Sequence, residues 1–353
     1  MAKQLMKGNE AIGEAAIQAG CRYFFGYPIT PQNEVPEYMS RRLPKVGGVF
    51  LQAESEVSAI NMVYGAAGAG ARVMTSSSSP GISLKQEGIS YLAGSELPCV
   101  IVNIIRGGPG LGGIQPAQSD YFQATKGGGH GDYHLFVFAP ASVQEMVDLV
   151  MESFDIADYY RNPVMILGDG ILGQMMEPVE FKVPKQRELQ PKDWATTGCA
   201  GRKPNIINSL SLVAEELEKH NWKLQRKYQQ MKNNEQRWEL FQCEDAELVL
   251  VAYGTTARIA KSVVNQLREQ GIKAGLLRPI TIFPFPEKAF AQLPKEVKAF
   301  LTVEMSAGQM VEDVCLAVNG KAPVHFYGRT AGIVPTPAEI IIKAKEIMGG
   351  ERQ

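Results

Sequence analysis

Apolar runs rich in Val, Ile and Phe alternate with helical patterns over roughly the first 170 residues, and this alternation constrains the fold more than any other feature of the chain. Strands are expected at 23–26, 48–52, 72–75, 99–105, 135–139 and 163–168, with helices at 9–19, 33–42, 56–69, 80–94 and 142–159. Strand runs without polar alternation belong to parallel strands covered on both faces, so the fold class expected is α/β with a parallel sheet under helices. A second block repeats the grammar: a strand at 247–253, a helix to 270, strands at 273–278, 298–303 and 322–326, and a last helix at 337–347. With 353 residues the chain exceeds the size at which one core stops growing. Two parallel-sheet domains are therefore expected, a first over 1–178 and a smaller one over 245–353, joined by a connector over 179–244.

From Glu177 the character changes, and Pro178, Pro184, Pro191 and Pro204 space out a polar stretch that reads as surface chain. Residues 206–241 then carry Leu210, Val213, Leu217, Leu224, Tyr228 and Met231 at helical spacing, which predicts an amphipathic helix or helical pair. Lys223, Arg226, Lys227 and Lys232 are expected on its solvated face. A net charge of −1 leaves no electrostatic footprint for nucleic acid. No apolar run approaches membrane-spanning length and the N-terminus has no apolar signal core, so a cytoplasmic protein without a membrane partner is expected. The five cysteines form no C-x-x-C pair, which predicts reduced thiols and no iron–sulfur ligand set on this chain.

Three polar loops follow strands. In Tyr27-Pro28-Ile29-Thr30-Pro31-Gln32-Asn33-Glu34 the prolines hold Ile29 and Thr30 extended, with a helix starting near Gln32. In Gln52-Ala53-Glu54-Ser55-Glu56 a carboxylate pair opens a helix whose later residues, Gly65 to Gly70, are small enough for close approach by another backbone or a ligand. Glu54 and Glu56 would also suit the positive end of a helix with no further role. Thr75-Ser76-Ser77-Ser78-Ser79-Pro80-Gly81 presents hydroxyls at a helix start, suited to a polar ligand or to simple capping. Arg106 ends an apolar strand with a fork that fits a carboxylate, in a substrate or in a structural ion pair. The G-x-G-x-x-G pattern at Gly108–Gly113 is discounted as a dinucleotide site, because Gln115-Pro116 delays the helix that the pattern requires. His130, in the Gly-rich stretch Lys126 to Asp132, is a candidate on a substrate-facing loop.

Taken together, Tyr27-Pro28-Ile29-Thr30-Pro31, Ala53-Glu54-Ser55-Glu56, the run from Thr75 to Ser83 and Arg106-Gly107-Gly108-Pro109 resemble the α subunit of the 2-oxoacid:ferredoxin oxidoreductases in order and spacing. The stretch from Leu277 to Pro286 is similar to the transketolase C-terminal-type domain that follows in those subunits, so the resemblance covers nearly the whole chain. The segments Gly112 to Pro116 and Thr125 to Asp132 look most like the branched-chain (3-methyl-2-oxobutanoate) members.

The resemblance implies a thiamine diphosphate pyrimidine-binding domain followed by a transketolase C-terminal-like domain. It implies oxidative decarboxylation of a 2-oxoacid to acyl-CoA and CO2, with coenzyme A as co-substrate and ferredoxin reduced. By the resemblance Glu56 pairs with the aminopyrimidine ring nitrogen, Thr30 contacts substrate or cofactor, and Arg106 holds the 2-oxoacid carboxylate. Pro28, Ile29, Ser78 and Ser79 would lie against the cofactor and His130 against the substrate. Gly168-Asp169-Gly170 resembles the start of a magnesium-diphosphate motif, but Asn205 comes too late to complete it, so no metal residue is assigned here. Mg2+ and iron–sulfur clusters are expected on partners: a β subunit carrying the diphosphate-binding domain, and γ and ferredoxin-like subunits. The chain alone should be inactive. Two alternatives stay open, the α subunit of a 2-oxoglutarate enzyme and a non-catalytic structural subunit.

Overall fold

The computed structural model describes residues 3–182 and 187–349, so Pro184 of the connector and the ends of the first and last expected domains lie outside the described residues. The first part of the chain forms β1 (Gln4–Lys7), α1 (Gly8–Gln18), β2 (Tyr23–Gly26), α2 (Glu34–Arg42), β3 (Val49–Gln52), α3 (Glu56–Gly68), β4 (Val73–Ser77), α4 (Ser79–Gly94) and β5 (Cys99–Ile105). It continues with α5 (Tyr121–Thr125), β6 (Phe136–Phe138), α6 (Val143–Tyr160), β7 (Pro163–Asp169), α7 (Gly170–Gln174) and β8 (Met176–Val179). The second part contains α8 (Ala214–Asn234), β9 (Trp238–Phe241), β10 (Leu248–Val251), α9 (Gly254–Glu269), β11 (Ala274–Pro279), β12 (Thr281–Phe283) and α10 (Glu287–Phe290). It ends with β13 (Ala299–Glu304), α11 (Met310–Val318), β14 (Val324–Gly328) and α12 (Pro337–Ile347).

The larger sheet has the order β12-β6-β7-β5-β4-β2-β3 and the smaller one β14-β13-β10-β11-β9. Within them only β12 on β6 and β9 on β11 are antiparallel. Central strands β4, β5 and β7 are buried at every residue, which is why they read as continuous rather than alternating runs. The α/β expectation therefore holds for both blocks. The strand expected at 72–75 runs on through Ser76 and Ser77, because both polar residues are fully buried in the sheet.

Three features depart from the sequence reading. Pro178, expected in surface chain, lies in the short strand β8, which pairs only with β1 at an edge where a missing N–H costs nothing. The segment 206–213 is irregular rather than helical, with Leu210 at 68% exposure. There the Asn208 side chain bonds both the N–H (2.9 Å) and the carbonyl (3.0 Å) of Leu210, a local turn that competes with helix formation. Lys227 is not on a solvated face: it is buried, and its ammonium reaches Glu96 Oε1 at 3.4 Å and the Arg161 carbonyl at 3.1 Å.

The two sheets are stitched together. Strand β12 extends the first sheet, and Phe283 stacks on His134 with ring centres 4.2 Å apart. Gln118 donates to the Tyr253 carbonyl (2.8 Å) and accepts from the Met305 N–H (3.0 Å) and the Thr256 hydroxyl (3.1 Å). These bonds fix the loops after β5, β10 and β13 relative to one another.

Candidate functional site

Loops leaving the carboxyl ends of β2, β3, β4 and β5 meet at one edge of the larger sheet, the position where open α/β sheets bind ligands. Of the two acidic residues after β3, Glu54 faces solvent and Glu56 is 5% exposed. Ser55 caps α3 by accepting from the Ser58 N–H at 3.2 Å, which sets Glu56 as the first helical residue with its carboxyl turned inward. That carboxyl makes no hydrogen bond among the described residues. It lies over Gly81 of α4, where an added Cβ would stand 2.5 Å from Glu56 Oε1 and would also collide with Ser77 Oγ. Glycine at 81 is therefore the space the carboxylate occupies.

Thr30, Arg106 and Ser79 form a continuous network beside it. Arg106 Nη1 donates to the Thr30 carbonyl at 3.0 Å and Nη2 to the Leu111 carbonyl at 3.0 Å, while the buried Nε has no partner. The Ser79 hydroxyl accepts from the Arg106 N–H (3.0 Å) and donates to Asp120 Oδ2 (2.7 Å), which also accepts from Asn103 Nδ2 at 2.9 Å. Burial pushes the Asp120 carboxyl above its ordinary range, against the pull of those two donors. The Thr30 hydroxyl is half-exposed and accepts from Asn33 Nδ2 at 3.3 Å, and Gln32, fully buried, links this loop to β4 through Ser76 Oγ at 2.5 Å.

The remaining candidates divide. Pro28 is exposed and Ile29 half-buried on the outer side of the Thr30 loop. Ser78 is fully buried with its hydroxyl unpartnered, as is Ser77. His130 is not brought to the others: it is exposed on the loop packed over the middle of α4, where Gly128 and Gly129 touch Gln86 and Ser90. From Gly81 to Gln86 and Ser90 is roughly 8–13 Å along a helix. The loop after Arg106 closes on itself through Gly113 N–H to the Gly107 carbonyl (2.9 Å) and Gly107 N–H to the Gln115 carbonyl (2.9 Å), so Gly108–Gly113 opens no helix and offers no dinucleotide cradle. It leaves Leu111 and Ile114 exposed and walls a cavity of about 550 Å³ shared with Asp120, Met305, Gln309 and Ala331. Asp169 caps α7, accepting from the Ile171 and Leu172 N–H groups at 2.9 and 3.2 Å.

One buried group escaped the sequence reading. Lys85 of α4 is fully buried, and its ammonium donates to Thr75 Oγ1 at 2.7 Å and the Ser76 carbonyl at 3.0 Å. Burial pushes it down to about 7, opposed by the negative charge of Glu56. The signal was present: Ile82, Lys85, Ile89 and Leu92 occupy one helical stripe, and a lysine within an apolar stripe needs a partner.

Comparison with known proteins agrees with this layout. A family model described as "Pyruvate flavodoxin/ferredoxin oxidoreductase, thiamine diP-bdg" matches residues 14–241, and one described as "Pyruvate:ferredoxin oxidoreductase core domain II" matches residues 246–340. The chain is 52% identical over 349 residues to the ketoisovalerate oxidoreductase subunit VorB of Methanothermobacter marburgensis, with 99% of each chain covered. It is 40% identical over 337 residues to the 2-oxoglutarate synthase subunit KorA of Archaeoglobus fulgidus, covering 93% of this chain and 95% of that one. A solved 2-oxoglutarate:ferredoxin oxidoreductase from Magnetococcus marinus, with 2-oxoglutarate, coenzyme A and succinyl-CoA bound, has a TM-score of 0.85 at 26% identity; 98% of this chain matches 65% of that chain's length. A split gene transketolase shares the fold, with a TM-score of 0.62 at 14% identity over 98% of this chain and 99% of that one. A family model spanning most of the chain and relatives matched over their full length establish that it belongs to the thiamine diphosphate-dependent 2-oxoacid:ferredoxin oxidoreductases.

Proposed function

We propose that this chain supplies the pyrimidine side of the thiamine diphosphate site in an enzyme that converts a branched-chain 2-oxoacid, 3-methyl-2-oxobutanoate, to its acyl-CoA and CO2 while reducing ferredoxin. The observation that carries this reading is the Glu56 carboxyl: buried at the start of α3, given room by Gly81, and without a hydrogen-bond partner among the described residues. Such a group suits a ligand that brings its own ring nitrogen. Bound there, thiamine diphosphate would supply the electron sink at the carbon from which CO2 departs. Glu56 would hold and move a proton at its Oε atoms, opposite that ring nitrogen. Arg106 holds the Thr30 and Leu111 carbonyls, which stiffens the loop edge, and its free Nε–H remains for a substrate carboxylate. The Thr30 hydroxyl stands on the same edge, and Ser79 acts by fixing Arg106 rather than by reaching the cofactor.

The site is half of one. Exposed Val49, Leu51, Val57 and Leu84 border it, an apolar rim suited to a β subunit carrying the diphosphate and Mg2+ side. Iron–sulfur clusters, the γ and ferredoxin-like subunits and external ferredoxin complete the electron path in this reading. The 52% identity to the VorB subunit supports the branched-chain substrate, and exposed Ile114 is an apolar surface beside Arg106 for its side chain. A 2-oxoglutarate substrate is the second reading, favoured by the 40% identity to KorA. The test is coenzyme A-dependent viologen reduction by the co-purified complex with 3-methyl-2-oxobutanoate, 2-oxoglutarate, pyruvate and an aryl pyruvate. A kcat/KM at least about tenfold higher for the branched acid is expected. Equal or greater efficiency with 2-oxoglutarate would overturn the assignment.

A further inference from the structure

Thr30 is gripped through its backbone. Arg106 Nη1 donates to the Thr30 carbonyl at 3.0 Å, and the next carbonyl, that of Pro31, accepts from Asn9 Nδ2 at 2.8 Å and from Gln174 Nε2 at 3.1 Å. Those bonds leave the hydroxyl free to change rotamer about the Cα–Cβ bond. The one side chain that holds it, among the described residues, is Asn33. Asn33 stands just before the first residue of α2, where an asparagine ordinarily accepts from the second or third backbone N–H of the helix. Neither is available here: the Val35 N–H goes to the Gln32 carbonyl at 2.9 Å, and Pro36 has no N–H. The Asn33 side chain accordingly makes no cap. Its amide nitrogen turns back to Thr30 Oγ1 at 3.3 Å, while its Oδ1 is buried without a partner. A buried oxygen left unpaired is destabilising, so capping and stability give no reason for an asparagine at this position.

We propose that Asn33 is a positioning residue for Thr30: it fixes the hydroxyl in one rotamer, occupies one lone pair of its oxygen, and leaves the O–H to donate to an oxygen of the 2-oxoacid. The NH2 end of an amide can only donate, so Thr30 Oγ1 is the acceptor in this bond. The Thr30 proton has no acceptor among the described residues, and the side chain is half-exposed at the loop edge, within reach of a ligand. A donor already aimed at an oxygen on which charge builds needs no reorientation when the reaction occurs. The proposal rests on the contact with substrate given above to Thr30.

The test is a double-mutant cycle in the co-purified complex, read as viologen reduction with the 2-oxoacid it turns over fastest and normalised to assembled complex. Thr30→Val keeps the shape of the side chain and removes the hydroxyl; kcat should fall about 100-fold, the loss that follows removal of one aimed donor. Asn33→Leu keeps the shape of the amide and removes both of its polar ends. It leaves the donor but not its aim, so kcat should fall roughly tenfold while KM for the 2-oxoacid stays within about twofold. The thermal midpoint should be unchanged or higher, because the unpaired buried oxygen is gone. Added to Thr30→Val, Asn33→Leu should cost nothing further, since Asn33 acts through the hydroxyl. An Asn33→Leu complex with the wild-type rate or a higher one would overturn the proposal, and a lower thermal midpoint at that rate would show a purely structural asparagine. The same fractional loss from Asn33→Leu with and without the Thr30 hydroxyl would also overturn it, because Asn33 would then act on its own. Should Asn33→Leu fail to assemble, Asn33→Ala is read in the same cycle with the same expected and contrary results. Full activity in Thr30→Val is a separate outcome, which would sink the role of Thr30 itself and the proposal with it.

Discussion

Gly81→Ala isolates the geometry of the candidate site from the stability of the helix that carries it. In an open helical position Ala is favoured over Gly by roughly 1 kcal/mol, so propensity alone predicts a gain. At 81 the new methyl would stand 2.5 Å from Glu56 Oε1. Ser77 Oγ, the other atom in the way, has no hydrogen bond to lose and can rotate. The carboxylate must retreat by about 1 Å, and a misplacement of that size in a catalytic group costs on the order of 100-fold in rate. Gly88→Ala is the control, because its methyl would press on Ile60 Cγ2 at 2.5 Å and touches nothing in the site. Overpacking of that kind costs about 1–3 kcal/mol without altering chemistry. Viologen reduction, normalised to assembled complex, should fall about 100-fold in Gly81→Ala and stay within about twofold of wild type in Gly88→Ala, whose thermal midpoint falls instead. A Gly81→Ala complex with the wild-type rate would refute the placement of Glu56.

Stability should carry the signature of Lys85, whose proton affinity burial lowers from 10.5 to about 7. A depressed folded value means that this group's contribution is present above 10.5 and is lost as pH falls through about 7. The thermal midpoint of wild type relative to Lys85→Met should accordingly be more favourable at pH 10 than at pH 7, and a difference that does not change with pH contradicts it. Lys227→Ala should cost about 3 kcal/mol in denaturant unfolding, because it breaks a buried pair with Glu96. Lys223→Ala, on a side chain 57% exposed, should cost under about 1 kcal/mol, and equal effects would contradict the burial of Lys227. Gln118→Leu orphans the Met305 N–H, while the Tyr253 carbonyl keeps the Thr256 hydroxyl at 2.8 Å, and should destabilise by about 1–3 kcal/mol; a loss below about 0.5 kcal/mol would mean that the link between the sheets lies elsewhere.

Much of this was legible in the sequence because the central strands are buried on both faces. Continuous apolar runs marked β5 and β7, and Pro80-Gly81 and the Glu54/Glu56 pair marked the starts of α4 and α3. Short edge elements were not legible. Strands β1, β8, β9 and β12 pair with residues 35 or more positions away in sequence, and nothing local announces such a pairing. The helix expected from 206 starts only at Ala214, because the Asn208 turn outweighs the spacing of Leu210 and Val213. In the site, the inward turn of Glu56, the network of Thr30, Arg106 and Ser79, and the distance of His130 depend on which loops the sheet order brings together. Residue type alone could nominate those side chains but not group them. Lys85 was overlooked because its partners are contributed by β4 rather than by its own helix.

The central claim, that this chain contributes the proton-handling half of a thiamine diphosphate site, turns on Glu56. The most direct measurement is the rate of 2-oxoacid-dependent viologen reduction by the purified complex carrying Glu56→Gln, with assembly and thiamine diphosphate content measured on the same sample. Loss of roughly 100- to 10,000-fold in kcat with assembly intact is the predicted result; a Glu56→Gln complex that turns over at the wild-type rate would contradict it.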